Sequence, residues 1–351
     1  MWIAVLAGIV AVAGWVLFGA NRRRFAWDTP LPLPPLELNG VIRETVFIDT
    51  PGGDQIEAWF YRPQATHPPV VIMAPGLAGT KEGPLERFAQ HFAEQGFAAL
   101  LIDFRTFGGS AGMPRHNVDP RMQVDDYLAT VAHVRGFMGD QVDASRIVLW
   151  GTSFSAASAS CAAIDANPQA LVLHVPYTGE PSHPPGAMQM AGYIGLLLAE
   201  KAGNTLAGLL RLRLPPAYIT AYGSPGEHAF GGSAQCPSRH NEHSDHPFWR
   251  LLPETYRGGW RNMFLVRALA HLSDIDPGAA IRTAKQPTLV VGATRDDMIT
   301  IAGLRRLQRA APETIEMIEI DAGHFDPYVA PWLAPNLQAQ VDFLRRALAR
   351  E

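Results

Sequence analysis

One short segment of this chain places a serine where its hydroxyl could act as a nucleophile. Gly151-Thr152-Ser153-Phe154-Ser155 follows an apolar run that ends at Trp150, and a helical stretch follows it. A sharp turn between a strand and a helix exposes the serine hydroxyl, and the helix N-terminus stabilises developing negative charge. The pattern predicts Ser153 as a nucleophile, although Ser155 stands where such turns usually have a second glycine. The alternative is a serine that only caps the helix.

Two later segments supply the partners that such a serine needs. Asp296 and Asp297 come just after the apolar run Thr288 to Val291, and His324 comes just after the run Thr314 to Ile320. An imidazole can take the serine proton, and a carboxylate fixes the tautomer of that imidazole and stabilises its charged form. The sequence therefore predicts Ser153, Asp296 and His324 as a catalytic triad. Spacing alone leaves Asp297 open as the acid.

A glycine-rich turn offers a fourth element of the same chemistry. Met73-Ala74-Pro75-Gly76-Leu77-Ala78-Gly79-Thr80 follows an early apolar run. Backbone N–H groups in such a turn can stabilise the oxyanion of a tetrahedral intermediate. We expect the N–H groups of Leu77 and Phe154 to form this oxyanion hole, with an ordinary strand-to-helix turn as the alternative.

The elements around these loops predict an α/β fold. Val41 to Thr50 and Gln55 to Tyr61 alternate like the strands of a hairpin, and short apolar runs then alternate with helical stretches. This order predicts a mostly parallel sheet covered by helices on both faces. The apolar runs that we expect to be buried strands are Val70 to Ala74, Ala98 to Asp103, Arg146 to Trp150, Leu171 to Val175, Thr288 to Val291 and Thr314 to Ile320.

One long interval interrupts this alternation. We divide the chain into an α/β core of residues 41–176 and 286–351 and an inserted helical lid of residues 177–285. The apolar stretch Met188 to Leu214 is expected to be helical and to line a pocket for an apolar acyl group, because it carries few charges. A polar loop rich in Gly, Ser and His follows it.

The N-terminus predicts a membrane anchor. Residues 1–20 carry no charge, and Arg22-Arg23-Arg24 follows them, so the run matches the roughly 30 Å hydrocarbon core of a bilayer as a transmembrane helix. A proline-rich linker then covers residues 21–40. A cleaved signal peptide and a buried soluble helix are the alternatives. Because basic residues stay preferentially in the cytoplasm, the anchor predicts a catalytic domain that faces the cytoplasm.

The composition narrows the possible partners. The formal net charge of the 351 residues is -4, from 33 acidic and 29 basic residues, so nothing indicates nucleic-acid binding. The two cysteines exclude a disulfide framework. The spacing in the polar loop matches no standard zinc site, so we predict no metal. We expect no cofactor, because a triad and an oxyanion hole suffice for the chemistry. The loop residues concerned are His228, Cys236, His240, His243, Asp245 and His246.

Several of these motifs together resemble a known group of enzymes. They are similar to bacterial and fungal α/β-hydrolases described as Xaa-Pro dipeptidyl-peptidase-like, dienelactone-hydrolase-like or polyketide-transferase-like. The resemblance covers about Val41 to Leu348 and implies the α/β-hydrolase fold, a Ser-His-Asp triad and acyl-transfer chemistry. The motifs that carry it are Ala74-Pro75-Gly76, Asp103 to Ser110, Trp150 to Ser155 and Ala322 to Tyr328, with Pro215-Pro216 and Trp260-Arg261-Asn262 in the interval.

The expected function is that of a serine hydrolase that cleaves a small-molecule carboxylic ester or thioester through an acyl-enzyme. An acyltransferase, which hands the acyl group to an alcohol or an amine, uses the same residues. A peptidase that cuts after proline would need an anionic clamp, for which Glu180 and Glu227 are the acids at hand. An inactive binding module on the same fold is the non-enzymatic alternative.

Overall fold

The computed structural model describes residues 35–179, 186–209, 216–224, 229–233, 235–236 and 260–349. A nine-stranded sheet forms the centre of this part, with the strand order β1-β2-β3-β5-β4-β6-β7-β11-β12, and β10-β8-β9 form a small second sheet. The strands are β1 (Leu36–Leu38), β2 (Val41–Asp49), β3 (Gln55–Arg62), β4 (Val70–Ala74), β5 (Ala98–Ile102), β6 (Ile147–Thr152), β7 (Ala170–His174), β8 (Tyr218–Gly223), β9 (Ala229–Gly232), β10 (Met263–Leu265), β11 (Thr288–Ala293) and β12 (Ile315–Ile320).

The pairing of the strands confirms the α/β class. β2 and β3 form the expected antiparallel hairpin, and β4, β5, β6, β7, β11 and β12 pair in parallel. Every residue of β4, β5, β6, β7 and β11 is buried, which requires helices on both faces of the sheet. The helices are α1 (Leu85–Glu94), α2 (Pro120–Phe137), α3 (Phe154–Ala166), α4 (Ala187–Leu209), α5 (Pro277–Thr283), α6 (Ile301–Ala310) and α7 (Leu333–Ala347).

Local sequence signals account for the start of α2 and for the buried face of α7. The Asp119 carboxylate accepts hydrogen bonds from the backbone N–H groups of Arg121 and Met122, and Pro120 occupies the first turn of α2. In α7 the predicted apolar face is buried, with Val341 and Leu344 fully inaccessible. These helices therefore pack where their periodicity predicts.

The segment between β7 and β11 differs from the expected helix followed by a polar loop. It contains α4 but also the three strands of the second sheet, and α5 at its far end packs against α3. Met188 and Leu198 of α4 are 91% and 60% exposed, so much of this apolar helix faces away from the core. The division into a core and a lid stays a prediction.

The transmembrane helix predicted for residues 1–20 has to be corrected. Nowhere in residues 35–349, as far as they are described, is a helix both long enough and apolar enough to cross a bilayer. The segment on which the prediction relied lies, with the rest of residues 1–34, outside the described residues. An apolar run of the right length is necessary for a span but not sufficient. The membrane anchor, the membrane localisation and the cytoplasmic orientation that followed from it are therefore withdrawn.

A buried ionic cluster joins the loops that follow β4 and β5. The Lys81 ammonium contacts the carboxylates of Glu57, at 2.8 Å, and Asp103, and all three side chains are 1% exposed or less. Burial alone would lower the pKa of Lys81, but Asp103 and Glu57 outweigh it and raise that pKa. The cluster fixes the start of α1 against the end of β5, because the Lys81 backbone N–H also donates to Asp103 Oδ1 at 2.6 Å.

Two glycines make room for these carboxylates. A Cβ atom on Gly108 would lie 2.0 Å from Asp103 Oδ2, and one on Gly109 would lie 2.3 Å from the Glu57 carboxyl group. The glycine pair in the motif Asp103 to Ser110 is thus a consequence of the buried acids. Asp103 therefore braces the carboxyl end of β5 against the loop that follows β4.

Replacing the central cation should destabilise the whole domain. Lys81→Met leaves two buried carboxylates without their counter-charge, so we expect the free energy of unfolding to fall by about 3–5 kcal/mol. Urea unfolding followed by circular dichroism measures it. Arg305→Met, which breaks the solvent-exposed pair with Glu319, is the control and should cause no measurable change. Equal stabilities for the two variants would contradict this account of the cluster.

Candidate active site

Ser153 lies at the turn between β6 and α3 in a backbone conformation that few residues adopt. Its φ is 51° and its ψ is -117°, within the strained region expected for an exposed nucleophile turn. The turn is also tight, since a Cβ atom on Gly151 would lie 2.6 Å from the Cα of Ala156. A Cβ atom on Gly76 would come within 3.2 Å of the Cβ of Ser153. Small residues are therefore needed on both sides of the turn.

Ser155 has a structural role at the position where a second glycine is usual. Its side chain is fully buried, and Oγ accepts a hydrogen bond from the Thr152 backbone N–H at 2.8 Å. The same hydroxyl lies 2.8 Å from the Ala74 carbonyl oxygen, to which it can donate. The departure from the glycine pattern thus ties the end of β4 to the end of β6.

The structure brings three of the predicted residues into one hydrogen-bonded line. His324 Nε2 lies 3.1 Å from Ser153 Oγ, and His324 Nδ1 lies 2.7 Å from Asp296 Oδ2. The side chains of His324 and Asp296 are each 2% exposed. A carboxylate that accepts the Nδ1 proton leaves Nε2 free to accept a proton from the serine hydroxyl. This arrangement can activate Ser153 for attack on an acyl carbon.

The geometry separates the two candidate aspartates. Asp296 Oδ1 accepts hydrogen bonds from the backbone N–H groups of Met298 and Ile299, at 2.7 and 2.8 Å, which aim its other oxygen at His324. Asp297 instead accepts a hydrogen bond from Ser233 Oγ at 2.7 Å. Asp296 is therefore the carboxylate that contacts the imidazole.

The loop that carries His324 is held on both sides of the histidine. The Gly323 N–H donates to Asp326 Oδ2 at 2.8 Å, and the Phe325 N–H donates to Gln235 Oε1 at 2.9 Å. Gln235 also donates to Asp326 through Nε2. A Cβ atom on Gly323 would lie 2.5 Å from Gln235 Oε1, which explains the glycine before the histidine.

The two predicted oxyanion-hole residues lie beside the serine. Phe154 is the first residue of α3, and an N–H group in the first turn of a helix has no partner within that helix. Leu77 lies in a turn closed by a 3.0 Å hydrogen bond from the Gly79 N–H to the Gly76 carbonyl. The Tyr222 hydroxyl on β8 donates to the Leu77 carbonyl oxygen at 2.6 Å. That contact fixes one end of the turn, and nothing in the sequence indicated it.

Two small cavities meet at Ser153. Each is large enough for several water molecules, at about 90 and 80 Å³. We call them the first and the second chamber, and Ser153, Leu77 and Tyr222 line both. The first is further lined by His324, Pro75, Pro84, Leu85, Trp260, Phe325 and Tyr328, and the second by Phe154, Tyr177, Phe230, Leu272, Asp297, Met298 and Ile299. None of these lining residues lies in α4, so the expectation that the Met188 to Leu214 stretch lines the pocket is wrong for the described residues.

A buried polar network under the turn was missed by the sequence reasoning. His174, the last residue of β7, lies between Thr152 Oγ1, 3.0 Å from its Nδ1, and Asn336 Nδ2, 2.9 Å from its Nε2. The Tyr328 hydroxyl also hydrogen-bonds Thr152 Oγ1. Because the Asn336 amide nitrogen can only donate, His174 is neutral and carries its proton on Nδ1. A histidine inside the apolar run Leu171 to Val175 was the signal that could have revealed it.

Most of the polar loop for which we predicted no metal lies outside the described residues. His228, His240, His243, Asp245 and His246 are not among the described residues. Cys236 is described and buried, and burial raises the pKa of its thiol to about 12. No group of three His, Cys, Asp or Glu side chains that could hold a metal ion occurs within the described residues. The absence of a metal and of a cofactor stays a prediction.

The sheet order and the Ser153-His324-Asp296 line define a protein of the α/β-hydrolase class. The family model described as serine aminopeptidase, S33, matches residues 66–325, and the chain belongs to this family. It is therefore a hydrolase, and the predicted resemblance is confirmed.

Individual relatives carry several different names. The quorum-quenching protein AidA of Acinetobacter baumannii is 28% identical over 319 residues, which cover 88% of this chain and 97% of that protein. A polyketide transferase of Stachybotrys chlorohalonatus is 27% identical, with 87% and 98% covered. A thiohydrolase of Eupenicillium brefeldianum is 34% identical over 40% of this chain and 46% of its own length.

Solved structures agree on the fold. The complex of DcsB with its substrate analogue aligns with a TM-score of 0.71 at 24% identity, over 87% of this chain and all of that one. The α/β hydrolase GrgF from Penicillium sp. sh18 aligns with a TM-score of 0.72 at 22% identity, over 88% of this chain and 99% of that one. These similarities support the fold alone.

The buried His174 should make stability depend on pH. Burial first, and the nearby His324 second, lower its pKa from 6.5 to about 3, so between these values only the unfolded state binds the proton. The free energy of unfolding should therefore fall as the pH drops below about 6.5. His174→Gln removes this contribution, and the difference in unfolding free energy between wild type and variant should shrink by about 2 kcal/mol from pH 6.5 to 5.

Urea unfolding of both proteins at each pH measures that difference. The comparison of the two proteins cancels the contributions of other titrating groups. One of these groups is Asp126: burial raises its pKa to about 6, and its effect on stability has the opposite sign. A wild-type and a variant curve that stay parallel over this pH range would show that His174 is not buried in its neutral form.

Proposed function

We propose that the protein is a serine hydrolase that cleaves a carboxylic ester or thioester through an acyl-enzyme, with Ser153 as nucleophile, His324 as base and Asp296 as the orienting acid. The observation that carries the proposal is the hydrogen-bonded line from Ser153 Oγ through both ring nitrogens of His324 to Asp296 Oδ2. Each residue then has the chemical role that its contacts permit.

The reaction follows from these contacts. Ser153 Oγ attacks the acyl carbon while its proton passes to His324 Nε2, and the Leu77 and Phe154 N–H groups stabilise the oxyanion that forms. When the intermediate collapses, Nε2 returns this proton to the leaving alcohol or thiol, and the acyl group remains on Ser153. Water, deprotonated by His324, then attacks the acyl-enzyme; as the bond to Ser153 Oγ breaks and the acid is released, Nε2 returns this proton to Oγ. Asp296 stabilises the imidazolium in both halves of the cycle.

Acyl transfer is the second candidate function. Relatives that cover most of this chain are named polyketide transferases, and transfer differs from hydrolysis only in the nucleophile that attacks the acyl-enzyme. Adding an alcohol or an amine to the assay and analysing the products separates the two. An acyl-acceptor product that exceeds the free acid would favour the transferase.

Peptide cleavage has less support from the residues near Ser153. A clamp for a free amino terminus needs carboxylates near Ser153, and among the described residues that line the two chambers Asp297, which accepts a hydrogen bond from Ser233, is the single acid. Glu180 and Glu227, the other acids considered for this role, lie outside the described residues. The predominantly apolar chambers favour esters and thioesters as substrates.

Loss of either the nucleophile or the base should abolish turnover. We expect Ser153→Ala and His324→Ala each to lower kcat by about 10⁶, because the residues act as a unit. Hydrolysis of p-nitrophenyl esters measures kcat, and covalent labelling of the wild type by a serine-directed phosphonate reports the nucleophile independently. Ser153→Ala must lose the label. Substantial turnover by that variant would overturn the proposed mechanism.

The adjacent aspartates provide a matched pair for testing the acid. Asp296→Asn replaces the acceptor of the Nδ1 proton and should lower kcat by about 10⁴ through the wrong imidazole tautomer. Asp297→Asn changes a carboxylate that contacts Ser233 and should lower kcat far less. The same ester assay decides, with circular dichroism to confirm folding. A larger loss in the second variant would reassign the acid to Asp297.

A further inference from the structure

Resting on the proposed function, we propose that the two chambers take the two halves of the substrate: the acyl chain enters the second chamber and the leaving group enters the first. The substrate is then a largely apolar ester or thioester that carries no anionic group on either side of the scissile bond. The residues that line the two chambers then determine the substrate class, and each chamber binds one half of that substrate.

Proton transfer decides which half enters which chamber. The leaving oxygen or sulfur must receive its proton from His324 Nε2, and His324 lines the first chamber but not the second. The oxyanion faces Leu77 and Phe154, so the acyl chain has to leave the tetrahedral carbon on the side away from His324. Phe154 lines the second chamber and His324 does not, so we assign the acyl chain to the second chamber.

The linings determine the chemistry of both halves. In the second chamber Phe154 stacks on Tyr177 with ring centroids 5.6 Å apart, and Leu272, Met298 and Ile299 add aliphatic surface. Trp260 and Phe325 give the first chamber a similar apolar wall. Among the described residues that line either chamber there is no Lys or Arg, so a carboxylate or phosphate on the substrate would lose its hydration without gaining a counter-charge.

Tyr222 keeps the chambers in fixed relation to the serine. It lines both of them, its hydroxyl donates to the Leu77 carbonyl, and its ring meets Phe325 edge-on at 5.9 Å. The hydrogen bond to Leu77 and the ring contact with Phe325 fix this side chain between the two chambers. We therefore expect each chamber to select its half of the substrate independently of the other. Each buried methylene contributes about fourfold to kcat/KM, on whichever side it lies.

Two glycines allow each chamber to be filled separately. Gly232 lines the second chamber, and a Cβ atom there meets nothing within 4 Å; Gly83 lines the first, and a Cβ atom there meets only the Thr80 carbonyl, at an ordinary 3.4 Å. Neither glycine has a positive φ. Gly232→Leu and Gly83→Leu are therefore matched substitutions that the backbone tolerates.

The test is a matrix of esters in which the acid and the alcohol vary independently: acetate, butanoate and hexanoate, each as the ethyl, butyl and hexyl ester. For each variant, kcat/KM is normalised to its own ethyl acetate value. Gly232→Leu should lower the hexanoate-to-acetate ratio at least tenfold and leave the hexyl-to-ethyl ratio within about twofold of wild type. Gly83→Leu should do the reverse. Exchanged effects, or equal effects on both ratios, overturn the assignment.

Two widening variants and one charged substrate complete the test. Leu272→Ala removes a contact from the second chamber and Trp260→Ala removes one from the first, so each should reduce chain-length discrimination on its own side only, even where a leucine variant fails to fold. The hexyl monoester of adipic acid, which adds a carboxylate to the acyl end, should react at least tenfold more slowly than hexyl hexanoate. Equal rates for these two esters would overturn the exclusion of anionic groups from the acyl site.

The same measurements distinguish this inference from the proposed function. The serine-hydrolase mechanism is refuted if the wild-type protein hydrolyses no ester of the matrix and does not react with a serine-directed phosphonate. The chamber assignment then fails with it. The chamber assignment alone is refuted if the wild-type protein is active but the substitutions in either chamber change both ratios alike.

Discussion

The backbone of Ser153 is held in a conformation that costs about 1–3 kcal/mol for a residue with a side chain. Its own peptide groups help to offset this cost. The Ser153 N–H donates to the His174 carbonyl at 2.9 Å, and the Ser153 carbonyl accepts from the Tyr177 N–H at 2.9 Å. The strained turn is therefore fastened to the end of β7, while Ser155 fastens it to the end of β4. The direction of the Ser153 hydroxyl depends on the register of three neighbouring strands.

The distance between serine and histidine depends on the same buried layer. Tyr328 follows His324 by four residues and hydrogen-bonds Thr152, which directly precedes Ser153. His174 connects Thr152 to Asn336 on α7, and Gln340 on that helix accepts from Trp150 Nε1 in β6. The nucleophile turn and the histidine loop thus share one polar network in a water-excluded layer. A neutral His174 fits this role, because a positive charge on His174 would be repelled by a positive charge on the nearby His324.

Sequence reasoning recovered what is encoded locally. The apolar runs gave β4, β5, β6, β7, β11 and β12, and the order of serine, aspartate and histidine followed from loops at one edge of a parallel sheet. The strands of the second sheet were missed because they are short and pair only within the segment between β7 and β11. The partners of Lys81, His174 and Tyr222 were missed for another reason. Each pairs with residues far away in the chain, and no local pattern records such a pairing.

The segment between β7 and β11 contributes more than a cover for the site. Tyr222 hydrogen-bonds the carbonyl oxygen of Leu77, whose N–H we proposed for the oxyanion hole, and Gln235 hydrogen-bonds the backbone next to His324. The parallel sheet positions Ser153 and Asp296, but this segment contacts the turn of Leu77 and the loop of His324 and lines both chambers. A change in it can therefore alter the substrate without altering the reaction. Relatives with a common fold and different names, such as a thiohydrolase and polyketide transferases, are the expected outcome of this division.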